Sequence, residues 1–342
     1  MSKSSKKMSV IDSMKRPLGD LRISVTDRCN FRCSYCMPGE IFGKDYQFLP
    51  KEDVLTFEEI ERIVRVFAGL GVDKVRLTGG EPMMRRDLES LISMLAVIPG
   101  VEDLALTTNG SFSLSRVKSL KEAGLGRMSV SLDALDDEVF MKMNDVDFSA
   151  QRVLDWIETS AASGFSQVKV NMVVKRGLNE DSLLPMARYF KQQGHILRVI
   201  EYMDVGQSNG WRLEDVVTAK QMVRRIHEEL PLEAIDANYR GEVAKRYRYV
   251  EGGGEIGVIA SVTQPFCGDC TRMRLSADGK LFTCLFAVNG HDLRGRLREG
   301  ASDEEVREYI QAIWGKRDDR YSELRTAQTA DLPKVEMSYI GG

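Results

Sequence analysis

The chain has 342 residues, of which 43% are hydrophobic and 29% are charged, and its formal net charge is −3. This composition is typical of a globular protein with a large core, and the lack of a basic excess argues against general nucleic-acid binding. No apolar run reaches the roughly 18 residues of a membrane span, and residues 1–8 contain no apolar segment typical of a secretory signal. We therefore expect a cytoplasmic protein that binds neither nucleic acid nor membrane.

Short β-branched runs alternate with amphipathic helical stretches over the first two thirds of the chain. Residues 57–70 predict one such helix, with Thr56 and Glu59 as a capping box and Gly71 just beyond its end. Six β-then-α units in series favour parallel strands, hence an α/β barrel or a doubly wound sheet. The predicted strands are 21–26, 74–78, 103–108, 127–133, 168–174 and 197–203.

This alternation stops near residue 206. A predicted helix at 218–229 is followed by a polar, glycine-rich stretch through residues 252–254. We predict a flexible N-terminal tail (1–14), an α/β domain (15–205) and a smaller C-terminal domain (206–342) that caps it. Ligands of parallel α/β folds bind at the carboxyl ends of the strands. Polar segments follow five of the predicted strands and include 27–36, 79–82, 109–110, 131–133 and 203–204.

The six cysteines form two groups of three, and the first group is Cys29, Cys33 and Cys36. Clustered cysteines in a reducing compartment more often bind metal than form disulfides. Three thiolates on a four-iron cluster leave one iron open, by the logic that gives a catalytic zinc its vacant position. The alternative is a zinc site with a fourth ligand elsewhere, although none of the three histidines, at 195, 227 and 291, lies nearby in the sequence.

The C-x3-C-x2-C spacing, with Tyr35 before the last cysteine, resembles the signature of the radical S-adenosylmethionine superfamily. This resemblance implies an incomplete (β/α)6 TIM-type barrel, a [4Fe–4S] cluster and reductive cleavage of S-adenosylmethionine. Residues 79–82 (Gly-Gly-Glu-Pro) resemble the motif that holds the methionine amine, although alone they would also suit a tight turn. The implied S-adenosylmethionine contacts are Tyr35, Gly79, Gly80, Glu81, Ser131 and Met203.

The second group is Cys267, Cys270 and Cys284, again three thiols without a fourth. It predicts a second cluster with an open iron, and the alternative is a zinc ribbon that would need His291. Two arginines, Arg272 and Arg274, lie between Cys270 and Cys284 and share one face of an extended segment. They suit phosphate there, although ordinary surface charge is the default for such a pair.

Charged residues also lie inside predicted strands, at Arg22, Arg76 and Lys169. Parallel strands are buried on both faces, so such charges need an anionic partner within the fold. A polyphosphate is the predicted partner.

The segment 266–275, residues 203–206 and 209–211, and the terminal Gly341-Gly342 together resemble the GTP 3′,8-cyclase family of molybdenum cofactor biosynthesis. This resemblance implies that S-adenosylmethionine yields a 5′-deoxyadenosyl radical, that this radical takes the 3′ hydrogen of GTP, and that C3′ then joins C8 to give 3′,8-cyclo-7,8-dihydro-GTP. The catalytic residues that it implies are Arg22, Arg76, Lys169, Arg272 and Arg274. The implied GTP contacts are these five together with Thr107 and Met273.

The same resemblance implies an electron donor such as flavodoxin or ferredoxin, a homodimer, and cyclic pyranopterin monophosphate synthase as the next enzyme. One departure is Asn144-Asp145-Val146, where an Asn-Gly-Arg run is expected. The alternatives are a different radical enzyme with an auxiliary cluster, such as a peptide maturase, a two-cluster electron carrier, and a zinc-stabilised scaffold. For the Gly-Gly tail, which the family brings into the active site, the alternative is a frayed end.

Overall fold

A computed structural model of the chain describes residues 10–165, 167–325 and 333–342. The strands are β1 (Asp20–Ser24), β2 (Lys74–Thr78), β3 (Asp103–Thr108), β4 (Arg127–Ser131), β5 (Lys169–Val174), β6 (Ile196–Glu201), β7 (Leu232–Ile235), β8 (Lys245–Tyr249), β9 (Glu255–Ile259), β10 (Arg272–Leu275), β11 (Lys280–Phe282) and β12 (His291–Asp292). The helices are α1 (Phe57–Gly69), α2 (Leu88–Ala96), α3 (Ser115–Glu122), α4 (Asp137–Asn144), α5 (Ala150–Ala162), α6 (Leu183–Gln193), α7 (Ala219–His227), α8 (Arg294–Arg298), α9 (Asp303–Gly315), α10 (Tyr321–Leu324) and α11 (Met337–Ile340).

The first six strands pair in chain order, and every pair is parallel. Helices α1 to α6 connect them, so the predicted partial barrel is confirmed. Strands β2 and β3 have the predicted bounds, and the other four differ from prediction by no more than two residues at either end. Among the described residues, no helix combines the length and apolar character needed to cross a bilayer.

Helix α1 shows how local sequence positions the outer layer. Its predicted capping box is present, because Glu59 N–H donates to the Thr56 hydroxyl at 3.1 Å and the Thr56 N–H donates to the Glu59 carboxylate at 2.8 Å. The apolar positions Ile60, Ile63 and Phe67 recur at helical spacing and are buried against the sheet. The helix therefore packs on the outside of the barrel and leaves the interior free.

The described residues after 206 do not form a sheet of their own. Strand β10 pairs in parallel with β1, and β9 pairs in parallel with β6, so the C-terminal part extends the barrel sheet at both edges. The stretch through residues 252–254 was described from the sequence only as polar and glycine-rich. In the structure these three glycines have positive φ and turn β8 into β9.

The N-terminal segment differs from the predicted tail. Residues 1–9 lie outside the described residues, but the segment 10–14 makes specific contacts with the rest of the fold. Ile11 pairs with Pro17 in an antiparallel bridge, and Asp12 is only 5% exposed. The sequence could not indicate this, because Asp12 contacts Arg317, which lies far away along the chain.

Candidate functional site

All six cysteines line one cavity inside the barrel. Cys29 follows the carboxyl end of β1, whereas Cys270 directly precedes β10. The first residue of β10, Arg272, pairs with Asp20, the first residue of β1. The two cysteine sets therefore lie at opposite ends of the same strand, and the cavity connects them.

The first cysteine set sits on a loop held by its own backbone. Cys36 N–H donates to the Cys33 carbonyl at 2.9 Å, and Arg32 donates to the Cys29 carbonyl at 2.7 Å. Burial raises the pKa of the Cys29 thiol to about 12 and raises the pKa values of Cys33 and Cys36 as well. These thiols are therefore neutral unless a metal takes the place of their protons.

The donor set fits iron–sulfur clusters better than zinc. Each set presents three free thiols to a shared cavity, which matches a four-iron cluster with one open iron. His291, which a zinc ribbon would need, is exposed on β12 and is not among the residues that line the cavity.

The Gly-Gly-Glu-Pro segment forms a close turn after β2. Gly79 has φ +147°, and a side chain at Gly79 or Gly80 would overlap the carbonyl oxygen of Thr26 or Arg28, respectively. Only glycine fits at either position, since the turn packs directly against the loop that leads to the first cysteines.

Glu81 is the buried carboxylate of this turn. It accepts hydrogen bonds from the Met83 N–H at 3.0 Å, the Thr108 hydroxyl at 2.7 Å and the Asn109 N–H at 2.7 Å. Burial raises its pKa to about 7 even with these donors. A cationic group in the cavity would restore its charge, so the site suits the ammonium of an amino acid.

The other residues predicted to contact S-adenosylmethionine also line the cavity. The Tyr35 hydroxyl donates to the Asp133 carboxylate at 2.8 Å, which ties the cysteine loop to the residues that follow β4. Burial raises the pKa of Asp133 to about 7. The Met203 sulfur accepts a hydrogen bond from the Ser261 hydroxyl at 2.6 Å, and Ser131 borders the same space. The structure thus brings all six predicted residues to the first cysteine set's cavity.

Three arginines, of which Arg274 is buried and Arg22 and Arg76 are partly buried, form a row across neighbouring strands. Arg22 on β1 pairs with Arg274 on β10 and with Arg76 on β2. Burial, together with Arg272, lowers the pKa of Arg274 to about 10, and burial with Arg274 lowers that of Arg22. Such a row of like charges needs an anion to be stable, and the row faces the cavity.

Lys169 and Thr107 complete the predicted polar lining. Burial and the neighbouring Arg198 lower the pKa of Lys169 to about 8. The Thr107 hydroxyl accepts a hydrogen bond from Arg76 at 3.1 Å. Met273 is different, since its side chain is fully buried in the hydrophobic core and is not among the residues that line the cavity. Its place in the predicted GTP site is therefore wrong for the side chain, because successive residues of a strand face opposite sides.

Arg198 is a cavity residue that the sequence analysis missed. It lies on β6, its Nη2 donates to the Ser129 hydroxyl at 2.8 Å, and its Nε is buried without a hydrogen-bond partner among the described residues. Burial and Arg76 lower its pKa to about 9. The sequence contained the pattern that would have identified Arg198, because it is a charged residue inside a predicted parallel strand, as are Arg22 and Lys169.

The C-terminal glycines reach the same cavity. The Gly341 carbonyl accepts a hydrogen bond from Arg274, and Gly342 lines the cavity. Gly341 has φ +78°, and a side chain there would overlap Thr78. Glu336 holds the preceding segment by accepting hydrogen bonds from the Gln207 N–H at 3.0 Å and the Ser208 hydroxyl at 2.8 Å.

The Asn144-Asp145-Val146 departure lies beside the first cysteine loop. Asp145 ends α4 with φ +51°, a conformation that glycine adopts most easily and aspartate tolerates. The Asn144 carbonyl accepts a hydrogen bond from the Arg32 N–H at 2.9 Å. This bond links the departing segment to the first cysteine loop through Asn144, the residue that matches the expected run.

Comparison with known proteins agrees with this geometry. Residues 23–190 match the Radical SAM superfamily, and residues 195–323 match Molybdenum Cofactor Synthesis C. A GTP 3′,8-cyclase of Acidothermus cellulolyticus is 51% identical, over 97% of this chain and 98% of its own length. One from Staphylococcus carnosus is 50% identical, over 97% and 99%.

Among solved structures, Streptococcus suis SuiB bound to its precursor peptide SuiA has a similar fold. The TM-score is 0.60 at 16% identity, covering 92% of this chain and 68% of that one. The low identity limits this likeness to the fold, whereas the matches at about 50% identity extend over almost the whole chain. The chain therefore belongs to the GTP 3′,8-cyclase family of the radical S-adenosylmethionine superfamily.

Proposed function

We propose that this chain is a GTP 3′,8-cyclase of molybdenum cofactor biosynthesis that uses S-adenosylmethionine and two [4Fe–4S] clusters. The observation that carries the proposal is that both cysteine sets and the arginine row line one cavity. An electron carrier would not require a row of arginines in the cavity between its two clusters. A substrate with several negative charges explains that row.

Cys29, Cys33 and Cys36 would hold the first cluster, and Cys267, Cys270 and Cys284 the second. When bound, the first cluster supplies the electron that cleaves S-adenosylmethionine to a hydrogen-abstracting radical. Glu81 binds the ammonium of S-adenosylmethionine, and Gly79 and Gly80 let the ligand approach the backbone. Tyr35, Ser131 and Met203 border the rest of that ligand.

Arg22, Arg76, Arg272, Arg274 and Lys169 bind and orient the triphosphate of GTP. The negative charges of a bound triphosphate would balance the positive charges of these five residues. Orientation matters most here, because the sugar and base of one nucleotide must be held in a single reactive geometry. The Thr107 hydroxyl fixes Arg76, and the buried walls exclude water from the radical.

Several partners follow from the proposed activity. The electron donor would be a flavodoxin or ferredoxin, and the product would pass to cyclic pyranopterin monophosphate synthase. We also propose a cytoplasmic homodimer, with residues 15–205 as the radical-generating domain and 206–342 as the part that supplies the second cluster and the Gly-Gly tail.

The experiment that tests the proposal is anaerobic reconstitution followed by iron and sulfide counting and incubation with dithionite, S-adenosylmethionine and GTP. We expect about eight irons per chain, as two four-iron clusters require, with GTP-dependent 5′-deoxyadenosine and a cyclised nucleotide. About four irons with untouched GTP would reject the cyclase while retaining the superfamily chemistry. Zinc in place of iron would reject both.

A further inference from the structure

A buried arginine, Arg317, forms hydrogen bonds to the second cysteine set, and the proposed reaction gives it no role. Arg317 donates from Nη1 to the Cys270 carbonyl at 2.8 Å and from Nη2 to the Cys270 sulfur at 3.1 Å. Its Nε donates to the carbonyl of Thr283, next to Cys284, at 3.0 Å. One guanidinium thus joins the two chain segments that carry Cys270 and Cys284.

Arg16 makes the matching contact with the third cysteine. Its Nη1 donates to the Cys267 carbonyl at 2.8 Å. Both arginines converge on the Asp12 carboxylate, at 2.5 Å from Arg16 Nε and 3.3 Å from Arg317 Nη1. The N-terminal segment, through Asp12, therefore fixes the positions of the two arginines that hold the second set.

The arrangement is costly if it serves stability alone. Asp12, Arg16 and Arg317 are all at most 5% exposed, and well-packed apolar side chains would stabilise a core at least as well as buried ion pairs. The Arg317 guanidinium also lies over the Trp314 ring at 4.5 Å, which restricts its orientation. These contacts direct one N–H at the Cys270 sulfur, and a directed donor is useful where that sulfur binds a redox centre.

We infer that Arg317 is a positioning residue that raises the reduction potential of the cluster bound by the second cysteine set. Arg317 is paired with Asp12 and with Asp319, so its effect is carried by its hydrogen bond to the ligand sulfur. Such a bond favours the reduced state of an iron–sulfur cluster, because it offsets the added electron. This inference rests on the proposed function for the existence of that cluster. It adds a specific donor, Arg317, and the N-terminal residues that orient it.

The test uses a background in which Cys29, Cys33 and Cys36 are all changed to serine, so that only the second cluster gives a signal. The midpoint potential is measured by redox titration with electron paramagnetic resonance, and iron is counted in every sample. We expect Arg317→Gln to reduce the ratio of reduced to oxidised cluster about tenfold at a fixed potential, equivalent to about 59 mV for one electron. Arg317→Lys keeps the charge but not the bonding geometry, so we expect a smaller shift in the same direction.

Arg240→Gln is the matched control. Arg240 pairs with Asp269 between two of the cysteines at 2.9 Å, but the pair is exposed and Arg240 makes no contact with a cysteine. Arg240→Gln should leave the midpoint potential of the second cluster unchanged.

An unchanged midpoint potential in Arg317→Gln with full iron would overturn the inference and leave the proposed function intact. If Arg317→Gln does not retain iron, the test rests on Arg317→Lys. An unshifted midpoint potential in Arg317→Lys would then overturn the inference. A background protein without iron would overturn the second cluster itself.

Discussion

Asp204, just beyond the end of β6, forms a buried ion pair with Lys334 at 3.2 Å. Asp204 also accepts hydrogen bonds from Tyr321 at 2.6 Å and Arg325 at 2.9 Å. This carboxylate therefore joins the barrel to the segment that carries the C-terminal glycines into the cavity.

Lys334→Met should weaken the attachment of that segment, which Glu336 and Arg274 also hold, without unfolding the protein. Asp204 keeps Arg325 and Tyr321, so we expect the free energy of unfolding to fall by only about 1–3 kcal/mol. GTP cyclisation should fall at least about tenfold while cleavage of S-adenosylmethionine continues, because the tail bonds Arg274 of the proposed GTP site and carries none of the three cysteines of the first set. Measuring both products in one assay checks this, with Lys316→Met at an exposed position as control. Parallel loss of both products would contradict it.

Arg198→Met tests the cavity residue that the sequence analysis missed. A charge-assisted hydrogen bond is worth about 1.5–3 kcal/mol, so the Kd for GTP should rise about tenfold or more. The Kd for S-adenosylmethionine should not change. Equilibrium binding of both ligands to reconstituted protein measures this, and Arg188→Met on the exposed face of α6 is the control. Equal weakening of both ligands would show a general structural effect instead.

Cys284→Ser separates the two cysteine sets. We expect iron to fall from about eight to about four per chain, with cleavage of S-adenosylmethionine retained and GTP cyclisation lost. The assay is iron counting with quantification of 5′-deoxyadenosine and of the cyclised nucleotide. If a correctly folded variant lost both activities, the two sets would not have separate roles.

We predict that the binding of GTP is accompanied by the uptake of a proton at Lys169. In the free protein its pKa is lowered to about 8, whereas a bound triphosphate would raise it again. Below the lowered pKa the lysine is already charged and takes up nothing. Between that value and its ordinary pKa it is neutral when free and charged when bound, so one proton is taken up.

Calorimetry of GTP binding in two buffers of different ionisation enthalpy measures this uptake. At about pH 8.5 wild type should take up more protons than Lys169→Met, and at about pH 7 the difference should vanish. A difference that persists at the lower pH would assign the proton to another group.

Gly80→Ala tests the close turn after β2. The added methyl would overlap the Arg28 carbonyl, which is backbone and cannot move aside alone. We expect a loss of about 1–3 kcal/mol in unfolding free energy, as for other overpacked sites, and less iron at the first set. Gly315→Ala, where a side chain meets nothing within 4 Å, should leave both thermal unfolding and iron content unchanged.

Much of the barrel could be predicted because its signals are local. The bounds of β2 and β3 follow from short apolar runs between turn residues, and the start of α1 follows from the Thr56–Glu59 box. The cysteine spacings and the Gly-Gly-Glu-Pro turn likewise lie within short segments, so the side chains of the first site could be named before their geometry was known.

The remaining features depend on pairing across the chain. The sequence of β10 shows two charged residues on an extended segment, but it does not show which strand β10 pairs with. In the structure that partner is β1. Asp12 looks like part of a polar tail until Arg317 is placed beside it. Met273 was assigned with its neighbours, although alternation along a strand turns it into the core. Periodicity within one segment carries no information on such long-range contacts.

The pairing of β10 with β1 also constrains the order of events during synthesis. When β1 leaves the ribosome, the strand that will cover its outer edge has not yet been made, and the same holds for β6 and β9. Nascent chains would carry two open parallel edges until the last third emerges, and open edges recruit other strands. A pause in translation before β9 and β10 have emerged would therefore prolong the stage that is most exposed to aggregation.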